Sequence, residues 1–334
     1  MIKVALLSKW HVHAEDYARQ AETSKNLSIR FVWDENRERG QKWAEELGVP
    51  FERDLDVVLS NPEIDAVIVS TPTNLHTEVI LAAAKHKKHI FTEKVLAFSS
   101  KEVNDIFTAV EESNVQLMVS LPRLTESYYL YAQEVVDKGL LGRLTTVRCR
   151  LAHNGAVSTD EHSNGWLPEH FFNLEQCGGG ALIDLGAHPI YLTNRLAGDV
   201  EAISARLQNT QGREVDDNAV VIVEYKSGAL GIIETGFLSA GSPFQLELYG
   251  TEGTLLIEDD QIRIKSVHMD KKSWIDPKVL PNTLPMPMEQ WIHAIQHGTV
   301  PAITNQDVYH LTLINQAAAL SSKEGRRVEL TEIK

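Results

Sequence analysis

Residues 6–16 read LLSKWHVHAED: the end of an apolar run, a polar turn, then the acidic start of a helical pattern. Strand, tight turn and helix in that order open a dinucleotide-binding unit. The turn of such a unit normally carries glycines in the pattern G-x-G-x-x-G, and this one has none. Aligned on its helix, the three places fall to Ser8, Trp10 and His13. A tryptophan at the middle place adds bulk where backbone normally approaches a pyrophosphate. The segments that follow decide whether the reading stands.

Short apolar runs recur through residues 1–120: KVALLS (3–8), IRFVWD (29–34), IDAVIVS (64–70), KHIFTE (88–93) and VQLMVS (115–120). Amphipathic stretches separate them, such as NRERGQKWAEEL (36–47), stopped by Gly48 and Pro50, then HTEVILAAAKH (76–86) and SKEVNDIFTAVEES (100–113). Gly and Pro after the last periodic residue are stop signals. Strand–helix–strand repetition at this spacing implies right-handed crossovers and a doubly wound parallel sheet.

The rhythm changes after about residue 122. A helical TESYYLYAQEVVDKGLLG (125–142) leads into period-two runs, including AVVIVEYKSGALGIIETGF (219–237) and FQLELYGTEGTLLIEDDQIRIKSV (244–267). KSG and GTEG are hairpin joints, so a large, mostly antiparallel open sheet is expected. The tail TNQDVYHLTLINQAAALSSKEG (304–325) returns to helical spacing. The organisation expected is an α/β protein: a Rossmann domain over 1–121 and an α+β domain for substrate binding and oligomerisation over 122–334.

Composition narrows the partners. The 334 residues are 43% hydrophobic and 23% charged, with a formal net charge of -14. That charge would repel nucleic acid and anionic membrane surfaces. Two cysteines, Cys149 and Cys177, are too few for a disulfide framework and fit the cytoplasm. No run approaches the ~18 apolar residues of a membrane span, and the N-terminal apolar run is too short for a signal peptide.

Chemistry is sought at strand ends, because a doubly wound sheet binds ligands beyond the carboxyl ends of its strands. Asp34 ends the second run, 21 residues after His13, where an acid takes the ribose hydroxyls of NAD and repels the phosphate of NADP. STPTNLHTEV (70–79) and FTEKVLAFSS (91–100) each follow a run and open a helix, and Lys94 sits in the second beside Glu93. Asp184 and His188 are four apart, so on a helix they share a face, with the carboxylate orienting the imidazole. The irregular stretch 154–180 supplies Asn154 and Trp166, beside His153. An aromatic face with amide and imidazole groups suits a sugar.

Taken together, T71-P72-x-x-x-H76, E93-K94, GLLGRLTTVR (139–148), G180-A181-L182-x-D184-x-G186-x-H188, DDNAVVIVEYKSGALGIIET (216–235) and YGTEGTL (249–255) resemble the glucose–fructose oxidoreductase, inositol dehydrogenase and rhizopine-catabolism (Gfo/Idh/MocA) family. The likeness runs along nearly the whole chain. It implies an NAD(P)-dependent oxidoreductase, NAD in preference to NADP, acting on a sugar, cyclitol or related polyol. It further implies that Lys94 touches the reacting hydroxyl and that Asp184 and His188 line the substrate pocket. By the same resemblance Arg123 is expected at the domain junction as a substrate contact, and Thr71, Pro72, Asn74, His76 and Glu93, with Lys94, are expected to line the nicotinamide half of the cofactor.

Two departures stand out. Val95 occupies the family's proline position, so the turn presenting Lys94 is expected to differ. The glycine-free turn is expected to bind nucleotide in altered fashion: Trp10 turned outward, the N–H groups of residues 11–14 (His11 among them) given to phosphate, and His13 adding a hydrogen bond. Its rival is a non-catalytic sugar-binding or regulatory protein that has lost the cofactor. HVH, with His162, His170, Asp160, Glu161 and Glu169 of the loop, raises a zinc reading. Those ligands come from distant segments or loop, and no metal is expected. The second sheet carries apolar residues on both faces, so a homodimer or homotetramer through residues 144–266 is expected.

Overall fold

The computed structural model describes every residue of the chain except 161, 163, 164, 270–272 and 334. It divides into two compact units, Met1–Ser120 with Pro285–Asn305, and Leu121–Leu284 with Gln306–Lys334.

The first unit alternates strand and helix: β1 (Ile2–Leu7), α1 (Ala14–Thr23), β2 (Leu27–Trp33), α2 (Arg37–Leu47), α3 (Leu55–Ser60), β3 (Ala66–Val69), α4 (Thr73–Lys85), β4 (His89–Thr92), α5 (Ser100–Ser113) and β5 (Leu117–Val119). The strands form one parallel sheet in the order β2-β1-β3-β4-β5. Val4, Ala5, Leu6 and Leu7 of β1 and all of β3 are buried, as continuous apolar runs in a sheet covered on both faces must be. Phe51 adds a single parallel bridge to Val32 outside β2. Strand order reverses between β1 and β3, the place where doubly wound sheets receive ligands.

Local chemistry fixes the helix ends. The Asn36 side chain accepts the Arg39 N–H to start α2, and Gly48 ends it at φ 65°. Ser99 and Glu102 form a reciprocal capping box on α5.

The second unit opens with α6 (Ser127–Asp137) and β6 (Leu144–Ala152), passes the short α7 (Leu174–Cys177), and continues with α8 (Ala187–Ala197). Strands β7 (Val200–Gln208), β8 (Asn218–Tyr225), β9 (Leu230–Gly236), β10 (Gln245–Gly250), β11 (Gly253–Glu258) and β12 (Gln261–Ser266) follow. Then come α9 (Pro287–His297), which belongs to the first unit, α10 (Asn305–Glu324) and β13 (Val328–Glu329). The eight-stranded sheet runs β12-β11-β10-β6-β9-β8-β7-β13, antiparallel throughout except where β6 and β9 pair in parallel. Both expected hairpins are present: β8–β9 turns at Gly228 (φ 84°), and β10–β11 turns at residues 251–252.

Alternation separates the faces of this sheet. In β8, Ala219, Val221 and Val223 are buried while Val220 and Ile222 are 40% and 45% exposed. Among the described residues, no helix is long and apolar enough to cross a membrane.

Candidate active site

The glycine-free turn closes on itself. Ser8 takes the first glycine place with φ 74°, a left-handed conformation that glycine adopts more readily. Its hydroxyl accepts the Trp10 N–H at 3.1 Å and a guanidinium N–H of Arg39 at 3.2 Å, two contacts that hold the strained residue. Trp10 is 5% exposed, so its indole turns into the unit and not outward. Three of the four backbone donors expected to face a phosphate have protein partners: His11 N–H donates to the Ser70 carbonyl (3.1 Å), His13 N–H to His11 Nδ1 (3.2 Å) and Ala14 N–H to the His11 carbonyl (3.0 Å). The His13 imidazole is likewise engaged, its Nδ1 lying 2.7 Å from Glu93 Oε1.

Asp34 is buried at the end of β2, and its carboxylate accepts four donors. Asn36 N–H (2.7 Å) and Arg39 Nη2 (2.6 Å) reach Oδ1, while Lys9 N–H (2.8 Å) and Arg39 Nε (2.9 Å) reach Oδ2. The expected ribose acid is therefore already the acceptor of a bidentate arginine, and a ribose hydroxyl would compete with Arg39 for it.

Beyond β3 and β4 the structure gathers Thr71, His76, Glu93 and Lys94, all buried, whereas Asn74 is exposed at the start of α4. Pro72 precedes that helix at its N-cap. The Thr71 and Thr92 hydroxyls are buried without a hydrogen-bond partner. Buried polar atoms are normally satisfied, so two such hydroxyls at adjacent strand ends fit a polar ligand that supplies the missing bonds. His76 instead serves the backbone: Nδ1 faces the Val95 and Leu96 carbonyls at 3.0 and 3.2 Å, and Nε2 the Thr71 carbonyl at 3.2 Å. Burial lowers its pKa against those carbonyls and the charge of Glu93. The Lys94–Val95 peptide bond is cis.

In the second unit, His188 lies in the first turn of α8, but Asp184 lies before that helix, in the turns of residues 181–186. The shared helical face expected for this pair is not formed. Both residues are half-buried. His188 Nδ1 has Tyr191 as a partner, 2.6 Å from the phenolic oxygen.

Asp216 shapes the approach to α8. Its carboxylate accepts the Gly180 and Leu182 N–H groups at 2.9 and 2.8 Å, and its carbonyl accepts the Ala181 N–H at 2.8 Å. A Cβ on Gly180 would stand 1.9 Å from that carbonyl, which is why the segment must open on glycine. Burial pushes the Asp216 carboxyl up, and the two N–H donors pull it back. Its partners lie more than thirty residues away, so neither the contact nor the role has a local signature.

The three expected sugar contacts come together. The His153 ring stacks on Phe237 (5.1 Å, 8°), Trp166 lies 4.7 Å from His153, and Trp166 Nε1 donates to Asn154 Oδ1 at 3.3 Å. Trp166 is 54% exposed above this base. Arg123 packs its guanidinium over Phe244 at 5.0 Å and donates to the Tyr128 hydroxyl at 3.3 Å.

The zinc reading had rested partly on loop residues, of which Glu161 lies outside the described residues. Among the described residues, the group of three or more potential metal ligands is instead His11, His13 and Glu93. Tyr17 donates its hydroxyl to the same Glu93 oxygen.

Comparison with known proteins agrees with this architecture. A model of the oxidoreductase family with an NAD-binding Rossmann fold matches residues 11–121, and a GFO/IDH/MocA C-terminal domain model matches residues 129–256. Myo-inositol 2-dehydrogenase of Thermotoga maritima is 25% identical over 90% of this chain and 91% of its own. The NAD(+)-dependent scyllo-inositol 2-dehydrogenase of Bacillus subtilis is 27% identical over 90% of this chain and 87% of its own. In fold, the chain resembles levoglucosan dehydrogenase solved with NADH and levoglucosan (TM-score 0.82, 21% identity, 98% of this chain and 99% of that one).

Proposed function

The chain belongs to the Gfo/Idh/MocA oxidoreductase family, and from that premise we propose that it oxidises a secondary hydroxyl of a cyclitol, sugar or anhydrosugar with NAD as the hydride acceptor. The observation that carries the substrate class is the group formed by His153, Asn154 and Trp166. An aromatic face meets the C–H surface of a ring, and polar groups beside it take hydroxyls. The inositol and levoglucosan dehydrogenases among the relatives act on molecules of that kind.

His188 is assigned as the base that removes the hydroxyl proton, with Tyr191 holding its Nδ1 side. Lys94 is assigned to hold the reacting oxygen, and Asp184 to stabilise the charge on His188. When bound, the nicotinamide takes the hydride. Thr71 and Thr92 are assigned to the cofactor crevice on the strength of their unpartnered hydroxyls.

The enzyme is assigned to the cytoplasm as a homodimer or homotetramer joined through the outer face of its large sheet. The compartment is supported by Cys149 and Cys177, both buried and not joined in a disulfide, and the assembly by exposed Val220, Ile222 and Leu230.

The test is a panel of inositols, hexoses and anhydrosugars with NAD+ or NADP+, read as reduced-nicotinamide absorbance. Turnover of at least one cyclic polyol is expected, lost in His188→Ala. No turnover by any of them, with no NADH or NADPH bound at millimolar concentration, would overturn the reading and leave a sugar-binding protein in its place.

A further inference from the structure

We propose that His11, His13 and Glu93 form a binding site for a divalent transition-metal cation of the zinc class, one per chain. Two imidazoles and one carboxylate are a zinc-type ligand set, while magnesium and calcium prefer oxygen alone. The ligand atoms of all three residues lie within 4.8 Å of one another. His13 Nδ1 and His11 Nδ1 are 2.7 and 3.6 Å from the same oxygen, Glu93 Oε1. Tetrahedral bonds of ~2.0–2.2 Å place ligand atoms roughly 3.3–3.5 Å apart, so the His11–Glu93 pair already fits, the closer His13–Glu93 pair must open, and the widest spacing, up to 4.8 Å, must close by about 1 Å or more through side-chain rotation.

The cluster is held in the way ligands are held. Tyr17 donates its hydroxyl to Glu93 Oε1, and the Lys94 N–H donates to Oε2 at 3.0 Å. Such outer contacts orient a ligating carboxylate. Glu93 is buried with both imidazoles at its Oε1, and a buried carboxylate is the anionic partner that a cation requires. The His13 N–H, now 3.2 Å from His11 Nδ1, is the contact the metal would replace.

Three protein ligands leave a tetrahedral ion one further position. His13 is the exposed member, its side chain 44% accessible, so that position opens on the solvent side. The two histidines follow β1 and the glutamate follows β4, both at carboxyl ends, where this fold receives ligands. An open zinc-class ion there accepts water or a ligand oxygen. The proposal concerns metal affinity alone and stands apart from the choice of substrate.

The test uses the full-length protein, stripped with a chelator and titrated with Co2+ by visible absorption and with Zn2+ by calorimetry. One equivalent per chain is expected, at micromolar affinity or tighter, with the intense visible bands of tetrahedral cobalt. His13→Ala and Glu93→Gln should each weaken binding at least ~100-fold, and Tyr17→Phe by about 10-fold. His293→Ala, which removes one member of the helical pair His293 and His297, should change nothing. Half-exposed His13 tolerates truncation, and thermal melts of each variant confirm that it is folded. Absence of saturable binding overturns the site, as does a folded Glu93→Gln protein that binds like wild type. The triad is then a hydrogen-bonded cluster only.

Discussion

Nδ1 of His188 and the phenolic oxygen of Tyr191 stand 2.6 Å apart, three residues along the same helix. Tyr191 is fully buried, and burial raises its pKa well above the ordinary tyrosine value, so it stays a neutral phenol across the working pH range. Its oxygen also faces the Arg123 N–H at 3.4 Å. The hydrogen bond on Nδ1 decides which ring nitrogen carries the proton, and therefore whether Nε2 is a base or an acid. Tyr191 is a positioning residue in this arrangement. Tyr191→Phe is expected to lower kcat about 10-fold while changing KM less than ~2-fold, and His188→Ala to lower kcat at least ~100-fold. Equal kcat in wild type and a folded Tyr191→Phe variant would remove the tyrosine from the mechanism.

Arg39 decides how Asp34 behaves toward a cofactor. With both carboxylate oxygens on the guanidinium, the acid repels a ribose phosphate less than a free carboxylate would, and the arginine itself can attract one. NADH is expected to bind more tightly than NADPH, but by no more than ~10-fold. Arg39→Ala should widen that preference at least ~10-fold by freeing Asp34 and removing the cation. Calorimetric titration of both cofactors into both proteins reads the ratio. An unchanged or narrowed ratio in a folded variant would show that Arg39 serves the turn and not the cofactor.

The exposed face of the large sheet makes an assembly prediction. Ile222 and Val220 of β8 project beside Ile232 and Glu234 of β9, and Arg148 of β6 bridges Glu234 (2.5 Å) and Glu247 (2.9 Å). An apolar strip edged by satisfied ion pairs suits a symmetric sheet-to-sheet contact. Light scattering at micromolar concentration should give a dimer or tetramer, and Ile222→Glu should reduce it to smaller species without unfolding. A wild-type monomer would contradict the assembly.

Acid should weaken the fold. His76 is buried with its pKa lowered by that burial, so below ~6.5 the unfolded chain takes up a proton the folded chain refuses, and stability falls. Glu93, held well below the ordinary carboxylate value, adds stability that is present above ~4.3 and is lost as pH falls further. Urea melts should therefore show a lower unfolding free energy at pH 5 than at pH 7. His76→Gln should flatten the upper part of that slope.

The sheets were legible because their signals are local. Continuous apolar runs, the Asn36 cap, the Gly48 stop and the Gly228 hairpin each declare themselves within a few residues. The site was legible less evenly. His153, Asn154 and Trp166 were read as sugar contacts, and the fold does gather them. The helical spacing of Asp184 and His188 does not place both on α8: Gly186 is the N-cap of that helix, so the helical repeat starts only after the acid. Asp216 on Gly180 and Glu93 on His13 are contacts across 36 and 80 residues, and no periodicity announces such pairs.

Trp10 carries the last prediction. An outward indole would crowd a pyrophosphate, and Trp10→Gly would then keep or improve cofactor binding. The indole is instead 5% exposed, and the backbone N–H of the same residue donates to the Ser8 hydroxyl at 3.1 Å. Removing a buried aromatic leaves a cavity, and such truncations typically cost ~3–5 kcal/mol. Glycine also frees the backbone at the one turn where Ser8 is held at φ 74°. Trp10→Gly is therefore expected to lower stability by about 3 kcal/mol or more and to weaken NADH binding, while Trp10→Phe keeps most of both. Denaturant melts and NADH titrations of the two variants side by side give the answer. A Trp10→Gly protein as stable as wild type, with NADH bound as tightly, would return the tryptophan to the role of an obstacle that the cofactor must pass.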